Sequence, residues 1–316
     1  MEKKCFAFIG AFILFEASAV MGQSNAPGDM YTDYNKYLND AWKGIRSGPH
    51  GPMNKTIKEI REKAALLMEE DSPAKNVRAV SGRSKVLNDE DIFSQRENSV
   101  FILGKFYSCG NCTSVQFDLI GTAFAIAEDG VCVTNYHVLK DIIRPTEKDI
   151  DSVYFIMTAD RKIRFIDGIL AYSQNNDIVV FKVNTQGDKL SPIPLGKPAR
   201  VGAPVFCISH PIGYFYYFSK GIVSRNVSID SLQAAAGYSK NGSRPIRMEI
   251  TADYGVGSSG GPILDKYGNL VGIVSSTTTL YGSQKDKDGN YAPQLVIKDT
   301  SPVKALADLL RKQIIN

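Results

Sequence analysis

The segment Gly257-Ser258-Ser259-Gly260-Gly261-Pro262 holds a serine in a Gly-x-Ser-x-Gly frame. Glycines there let the backbone turn sharply, expose the central hydroxyl and aim amide N–H groups at a charge developing on an attacked carbonyl. A serine hydroxyl is a weak nucleophile until a base takes its proton and a third group fixes that base. Chain order decides which folds can supply such partners. The histidines are His50, His137 and His210, all upstream of Ser259, which excludes the α/β-hydrolase order of serine, acid, then histidine. The order aspartate, histidine, serine belongs to a parallel sheet flanked by helices, and the strand texture opposes it. Histidine, aspartate, serine on an all-β chain remains.

His137 lies in Val133-Thr134-Asn135-Tyr136-His137-Val138, where a strand ends and the chain can turn to expose an imidazole. Asp177 lies in Asn175-Asn176-Asp177-Ile178-Val179-Val180, a polar turn leading into a buried strand. With Ser259 these make a nucleophile, a general base, and a carboxylate that fixes the base's tautomer and steadies its positive charge. The amides of Gly257 and Ser259 are the expected oxyanion donors. His210 is expected to shape a turn before Pro211 rather than bind metal, and His50 has no role, with no ligand partners nearby.

The elements that must position these groups are strands. From Ser99 onward short apolar or alternating runs recur: Val100 to Tyr107, Phe117 to Ile126, Val131 to Thr134, Val153 to Met157, Ile163 to Ile169 and Ile178 to Val183. They continue with Val205 to Ser209, Gly221 to Val227, Ile246 to Thr251, Leu270 to Ser276 and Gln294 to Ile297. Turn residues such as Glu128-Asp129-Gly130 separate them, and no regular helical pattern intervenes. The texture predicts closed antiparallel barrels. The aromatic run Tyr214 to Phe218 reads as a strand alternating between core and surface. A helix closes the chain, with Ser301 as cap, Pro302 in the first turn, and Val303, Leu306, Leu310 and Ile314 on one face. Residues 23–95 form a helical segment and linker: Asn54 caps a helix with Ile57, Ile60, Ala64 and Leu67 on one stripe, and Ser72-Pro73 ends it.

Gly121-Thr122-Ala123-Phe124, Thr134-Asn135-Tyr136-His137-Val138, Asn176-Asp177-Ile178, Gly221-Ile222-Val223-Ser224 and Gly257 to Pro262, in that order, resemble the trypsin-like serine proteases of the HtrA/Deg branch. The resemblance covers residues 96–316. It implies a chymotrypsin-like pair of six-stranded antiparallel barrels, with His137 and Asp177 from the first and Ser259 from the second. It further implies peptide-bond hydrolysis through an acyl-enzyme, protein or peptide substrates, no metal or organic cofactor, and Ser275, Ser276 and Thr277 flanking the substrate side chain. Members commonly carry PDZ domains after the protease; the 57 residues that follow Ser259 predict none here.

The 316 residues carry 37 basic and 33 acidic side chains, a net charge of +4 with no Lys/Arg run, which argues against a nucleic-acid partner. Lys3 and Lys4 precede an apolar run from Cys5 to Phe15, and small residues follow to Gly22. This is the layout of a secretory signal peptide over residues 1–22, so the chain is expected to be exported, periplasmic or extracellular. The run is too short for a permanent membrane span. Export leaves Cys109, Cys112, Cys132 and Cys207 in a compartment that permits disulfides, with three pairings open. Cys109-Gly110-Asn111-Cys112 sits between strand-like runs, which favours a clip across a turn or free thiols over a redox motif.

Two functions follow: a serine endopeptidase or, alternatively, a protease-fold binding or chaperone-like protein. The intact set of three groups favours the enzyme. Asp253, six residues before Ser259, resembles the place where trypsins put the carboxylate that receives Arg or Lys. A small apolar preference beside Ser276 and Thr277 is the stronger expectation.

Overall fold

Alternating apolar runs of four to ten residues, broken by turns, bury one face of each strand and drive them into sheets. The computed structural model describes residues 70–107, 116–144, 152–229, 245–285 and 289–310, together with 32–34, 36 and 40. The expected leader, the helix capped by Asn54, His50, Cys109 and Cys112 all lie outside the described residues. The expected all-β double barrel is what the chain forms.

Strands β1 (Val100–Tyr107), β2 (Gln116–Ala125), β3 (Val131–Thr134), β4 (Ser152–Met157), β5 (Ile163–Ser173) and β6 (Ile178–Val183) close in the order β1-β2-β3-β6-β5-β4. Strands β7 (Pro204–Ser209), β8 (Tyr217–Ser228), β9 (Ile246–Ile250), β10 (Pro262–Leu264), β11 (Leu270–Lys285) and β12 (Tyr291–Pro302) close in the order β7-β8-β9-β12-β11-β10. The second order repeats the first, offset by six strands, and all pairs are antiparallel. Closure leaves neither barrel an edge within its wall.

Each barrel has its own interior. Phe101, Leu103, Ala123 and Phe181 fill the first, with Leu139 and Ile142 of helix α2 (Tyr136–Ile143) covering one end. Val205, Cys207, Val223, Met248, Ile263 and Val274 fill the second. A third apolar cluster joins the barrels, where Phe124 and Val180 meet Phe206, Ile208, Leu264 and Ile273. Full burial of each such side chain contributes about 1.5–3 kcal/mol, so this cluster is what holds the barrels in register.

Several sequence expectations need correction. The linker-like stretch after Pro73 is packed: Ala74 and Val77 join the inter-barrel cluster, and Leu195 donates its amide to Val80 O at 2.8 Å. It leads into helix α1 (Asp89–Arg96), capped by Asn88, whose side chain accepts from Asp91 N. Short polar elements of this kind lack an apolar period, because their burial is supplied by a few residues such as Ile92. Tyr214 to Phe218 is not one strand. Pro211–Gly213 forms a 3₁₀ turn, Ile212 and Tyr216 take left-handed backbone (φ +46° and +56°), and the strand begins only at Tyr217. Pro211 and Gly213 break the alternation that aromatic content alone suggests. Ser301 does not cap the last helix, α3 (Val303–Leu309). Pro302 holds the cap position, and the Ser301 hydroxyl instead donates to Asn176 O.

Candidate active site

Strand β3 ends at Thr134, and Asn135, in extended backbone (φ −79°, ψ 152°), starts α2. Tyr136, Leu139 and Ile142 bury one stripe of that helix, which leaves His137 on the open side with its side chain 47% exposed. Asp177 ends the β5–β6 turn with φ +55°, a left-handed position that aspartate tolerates better than bulky residues. That backbone turns its carboxylate back toward α2.

The two groups meet at short range. Asp177 Oδ1 accepts from His137 N at 3.0 Å, and the carboxylate oxygens lie 3.0 and 2.9 Å from His137 Nδ1. Holding the proton on Nδ1 leaves the Nε2 lone pair free, and Nε2 lies 3.0 Å from Ser259 Oγ. Histidine and aspartate come from the first barrel, and the serine from the β9–β10 connection of the second.

The second barrel also grips the Asp177 turn. Ser275 Oγ donates to Asp177 Oδ2 at 2.6 Å, and Arg247 Nη2 donates to Asn175 O at 3.0 Å. Ile246 N donates to Asn176 Oδ1 at 3.3 Å, while Asn135 Nδ2 holds Asp177 O at 2.8 Å from within the first barrel. The Ser275 hydroxyl, on a residue expected to flank the substrate side chain, is buried on the carboxylate. Arg247 carried no motif that marks it, and neither Asn135, inside the His137 segment, nor Ser301, read as a helix cap, was marked for its hydrogen bond to a main-chain atom distant in sequence.

The turn around Ser259 is built from its glycines. Gly257 (φ +90°) and Gly260 (φ +84°) need left-handed backbone, and a Cβ on Gly260 would stand 2.2 Å from both Thr122 O and Thr134 Oγ1. Ser258 N bonds Gly255 O, Gly260 N bonds Val274 O and Gly261 N bonds Ser258 O, at 3.0, 3.1 and 2.8 Å. The amides of Gly257 and Ser259 donate to none of these carbonyls. Thr122 ties the turn to the first barrel: its N bonds Ser259 O at 2.8 Å and its hydroxyl bonds Gly257 O at 3.0 Å. Ile212 N reaches Val256 O at 2.7 Å from the 3₁₀ turn.

Of the remaining expected residues, Asp253 is 71% exposed and paired with Lys298. Ser276 and Thr277 continue β11 on the surface. Tyr254 was not foreseen. Its hydroxyl lies 2.9 Å from Ser276 O and 2.8 Å from Asp299 O and shares its one proton between them. Burial, with Cys207 and Asp299 adding, pushes its phenol far above the usual range and keeps it a neutral donor. His210 is fully buried, and its Nδ1 accepts from Tyr216 N at 3.0 Å. Among the described residues no three His, Cys, Asp or Glu side chains gather as a metal site, and no helix is long and apolar enough to cross a membrane.

The family model of the trypsin-like peptidase domain matches residues 121–273. Protease Do-like 5, chloroplastic, of Arabidopsis thaliana is 32% identical over 180 residues, covering 54% of this chain and 52% of that protein. A probable periplasmic serine endoprotease DegP-like of Hahella chejuensis is 30% identical, covering 51% of this chain and 30% of its own length. The chain thus spans about half or less of these relatives. Among solved structures, the HtrA-type protease AlgW with decapeptide superposes with a TM-score of 0.51 at 18% identity, covering 71% of this chain and 66% of that one, a likeness of fold.

Proposed function

We propose, from the match of residues 121–273 to the trypsin-like peptidase domain and the likeness to Do-like and DegP-like proteases, that this protein is a serine endopeptidase with Ser259 as nucleophile, His137 as general base and Asp177 as the carboxylate that orients it. The observation that carries this reading is the pair of contacts His137 makes across the barrels, to Asp177 and to Ser259 Oγ at 3.0 Å. As Ser259 Oγ attacks a peptide carbonyl, His137 Nε2 takes its proton, and Asp177 steadies the imidazolium. The carbonyl oxygen, now negative, sits against the amides of Gly257 and Ser259. His137 then gives its proton to the leaving amine, and water repeats the cycle on the acyl-enzyme. The engagement of Asp253 by Lys298 supports a small apolar preference over a basic one. The layout of the first 22 residues supports export to a periplasmic or extracellular compartment, and residues 96–316 form the protease unit of the proposal.

A fluorophosphonate probe is expected to label the wild-type chain at Ser259 and to leave Ser259→Ala unlabelled. Ser259→Ala or His137→Ala lowers kcat on an unfolded protein substrate by roughly 10⁴ to 10⁶. Cleavage at the wild-type rate by Ser259→Ala would falsify the assignment.

A further inference from the structure

By sequence Asp177 belongs to the first barrel, at the end of the turn between β5 and β6. Within that barrel Asp177 N donates to Gln174 O at 3.1 Å, Asn176 N to Ser173 Oγ at 3.2 Å, and Asn135 Nδ2 to Asp177 O at 2.8 Å. The second barrel then takes hold of the turn one residue after another. Arg247 Nη2 of β9 donates to Asn175 O at 3.0 Å, and the Ser301 hydroxyl of β12 donates to Asn176 O. Ile246 N donates to Asn176 Oδ1 at 3.3 Å, and Ser275 Oγ of β11 to Asp177 Oδ2 at 2.6 Å. Three neighbouring strands, β9, β12 and β11, hold three consecutive residues.

Arg247 is the costly member of this set. It is 5% exposed, and a buried cation needs hydrogen-bond partners to offset its lost hydration. The guanidinium fork finds two main-chain carbonyls: Nη1 donates to Ile246 O at 2.9 Å, beside its own place in β9, and Nη2 donates to Asn175 O. The first bond fixes the plane of the fork, so the second sets where Asn175 O lies. Bonds from a charged donor are also shorter and stronger than neutral ones. What they restrain is a turn that relaxes when released. Asp177 has left-handed backbone (φ +55°), and such a conformation persists only where its surroundings over-determine it. An apolar side chain of similar length would fill the same space without the desolvation cost, so packing alone does not account for a guanidinium here.

We propose that Arg247 is a positioning residue for the catalytic carboxylate, acting through Asn175 to hold Asp177 where His137 can span to Ser259. The proposal rests on the peptidase reading and adds a residue outside its three reacting groups. Ser259 lies on the connection that follows β9, the strand that carries Arg247. The nucleophile and the carboxylate are thus both referenced to the second barrel, while the imidazole between them rides on the first. His137 bridges two points whose separation is set from the other barrel, at 2.9 Å from Nδ1 to Asp177 Oδ2 and 3.0 Å from Nε2 to Ser259 Oγ. Loss of the fork lets the turn drift toward relaxed backbone, and a misplacement of about 1 Å in such an arrangement costs up to about 100-fold in rate. Arg247 is buried behind the turn, so substrate binding does not depend on it.

The test uses the full chain, with rates on an unfolded protein substrate counted per active site titrated by a fluorophosphonate. Arg247→Met fills the space and removes every donor. Its kcat is expected to fall about 10- to 100-fold, with KM within about 2-fold of wild type. Fluorophosphonate labelling of Ser259 slows by the same factor. Arg247→Lys, which keeps a charged donor but not the fork, falls between the two. In proton NMR the low-field resonance of His137 Nδ1–H, held against Asp177, moves or broadens in Arg247→Met, a change that lost stability alone does not produce. Methylguanidinium, which restores the fork, raises kcat of Arg247→Ala at least about 3-fold and leaves wild type unchanged. If Arg247→Met does not fold, Arg247→Lys carries the test. Wild-type kcat in the variant that folds, with the resonance unmoved, overturns the positioning role even where the thermal midpoint drops. A loss confined to KM overturns it too, since that places Arg247 against substrate. Wild-type protein that takes no label overturns the peptidase reading and this proposal with it.

Discussion

Ser209 Oγ donates to Ser258 Oγ at 3.0 Å, and both hydroxyls are wholly buried beneath the nucleophile turn. Ser258 Oγ also accepts from Gly255 N at 3.3 Å. In trypsin-like zymogens the residue before the nucleophile is an aspartate that receives a newly cut N-terminal amine. Here the neutral Ser209 hydroxyl of β7 braces the turn, and Ser258 offers a buried ammonium no carboxylate. Full-length protein is therefore expected to be active without a new N-terminus. Active-site titration with a fluorophosphonate should give the same active fraction before and after N-terminal acetylation, and a collapse on acetylation would show the switch to exist in another form. Ser258→Ala should cost about 1–2 kcal/mol in chemical denaturation, because it removes the acceptor of the part-buried Gly255 N–H and the Ser209 contact.

Ser275→Ala removes one donor from Asp177 while leaving the two from His137. The carboxylate keeps its charge but loses the bond that ties it to the second barrel. We expect kcat to fall by about 10-fold with KM little changed, since the change acts on the base's orientation rather than on substrate contacts. A fall confined to KM would place Ser275 back beside the substrate.

Stability should drop in mild acid because of His210. Burial, opposed in part by the Phe101 backbone, pushes its pKa down from 6.5 to about 3. The unfolded chain takes this proton near pH 6.5, while the folded one refuses it until about pH 3. The unfolded state therefore binds more protons within that window. The contribution is complete above pH 6.5, shrinks as pH falls, and amounts to at most about 4–5 kcal/mol. Urea denaturation of His210→Asn, which keeps a side-chain acceptor for Tyr216 N, should show a shallower loss between pH 6.5 and 4 than wild type. Equal slopes would assign the acid sensitivity elsewhere.

Cys132 and Cys207 are free thiols buried in separate barrel interiors, so the pairing of these two with each other is excluded. Burial pushes both up, Cys207 to about 12, and a thiol so protonated is a poor nucleophile. Neither should react with a maleimide in the native protein, and both should react within seconds in 6 M guanidinium. Mass spectrometry of the labelled peptides separates them from Cys109 and Cys112.

Gly260→Ala should destabilise the protein by more than about 3 kcal/mol, with a thermal midpoint lowered by several degrees. It combines a left-handed backbone with a methyl pressed onto Thr122 and Thr134. A midpoint within one degree of wild type would mean that the turn relaxes without cost.

The barrels were legible because every strand but β10 carries its own apolar run. Pro262–Leu264 is three residues long and immediately follows the Gly260-Gly261 turn, too short for alternation to register. His137, Asp177 and Ser259 were legible as a combination, since chain order and local turn chemistry together leave few folds. What stayed hidden depends on distance in space. Arg247 and Ser301 hold main-chain atoms 72 and 125 residues away, and no local pattern announces such bonds. The Ser275 bond to Asp177 also stayed hidden, because its position along β11 says where it lies, while only the rotamer says that it reaches Asp177.

The order of strands in the second barrel bears on how the protein is made. Strand β12 lies between β9 and β11, so this barrel stays open until its final strand has been synthesised, well after Ser259. A growing chain on the ribosome carries Ser259 without the closed barrel that positions it. On the proposed reading, the site around Ser259 is therefore assembled only once the whole domain has emerged.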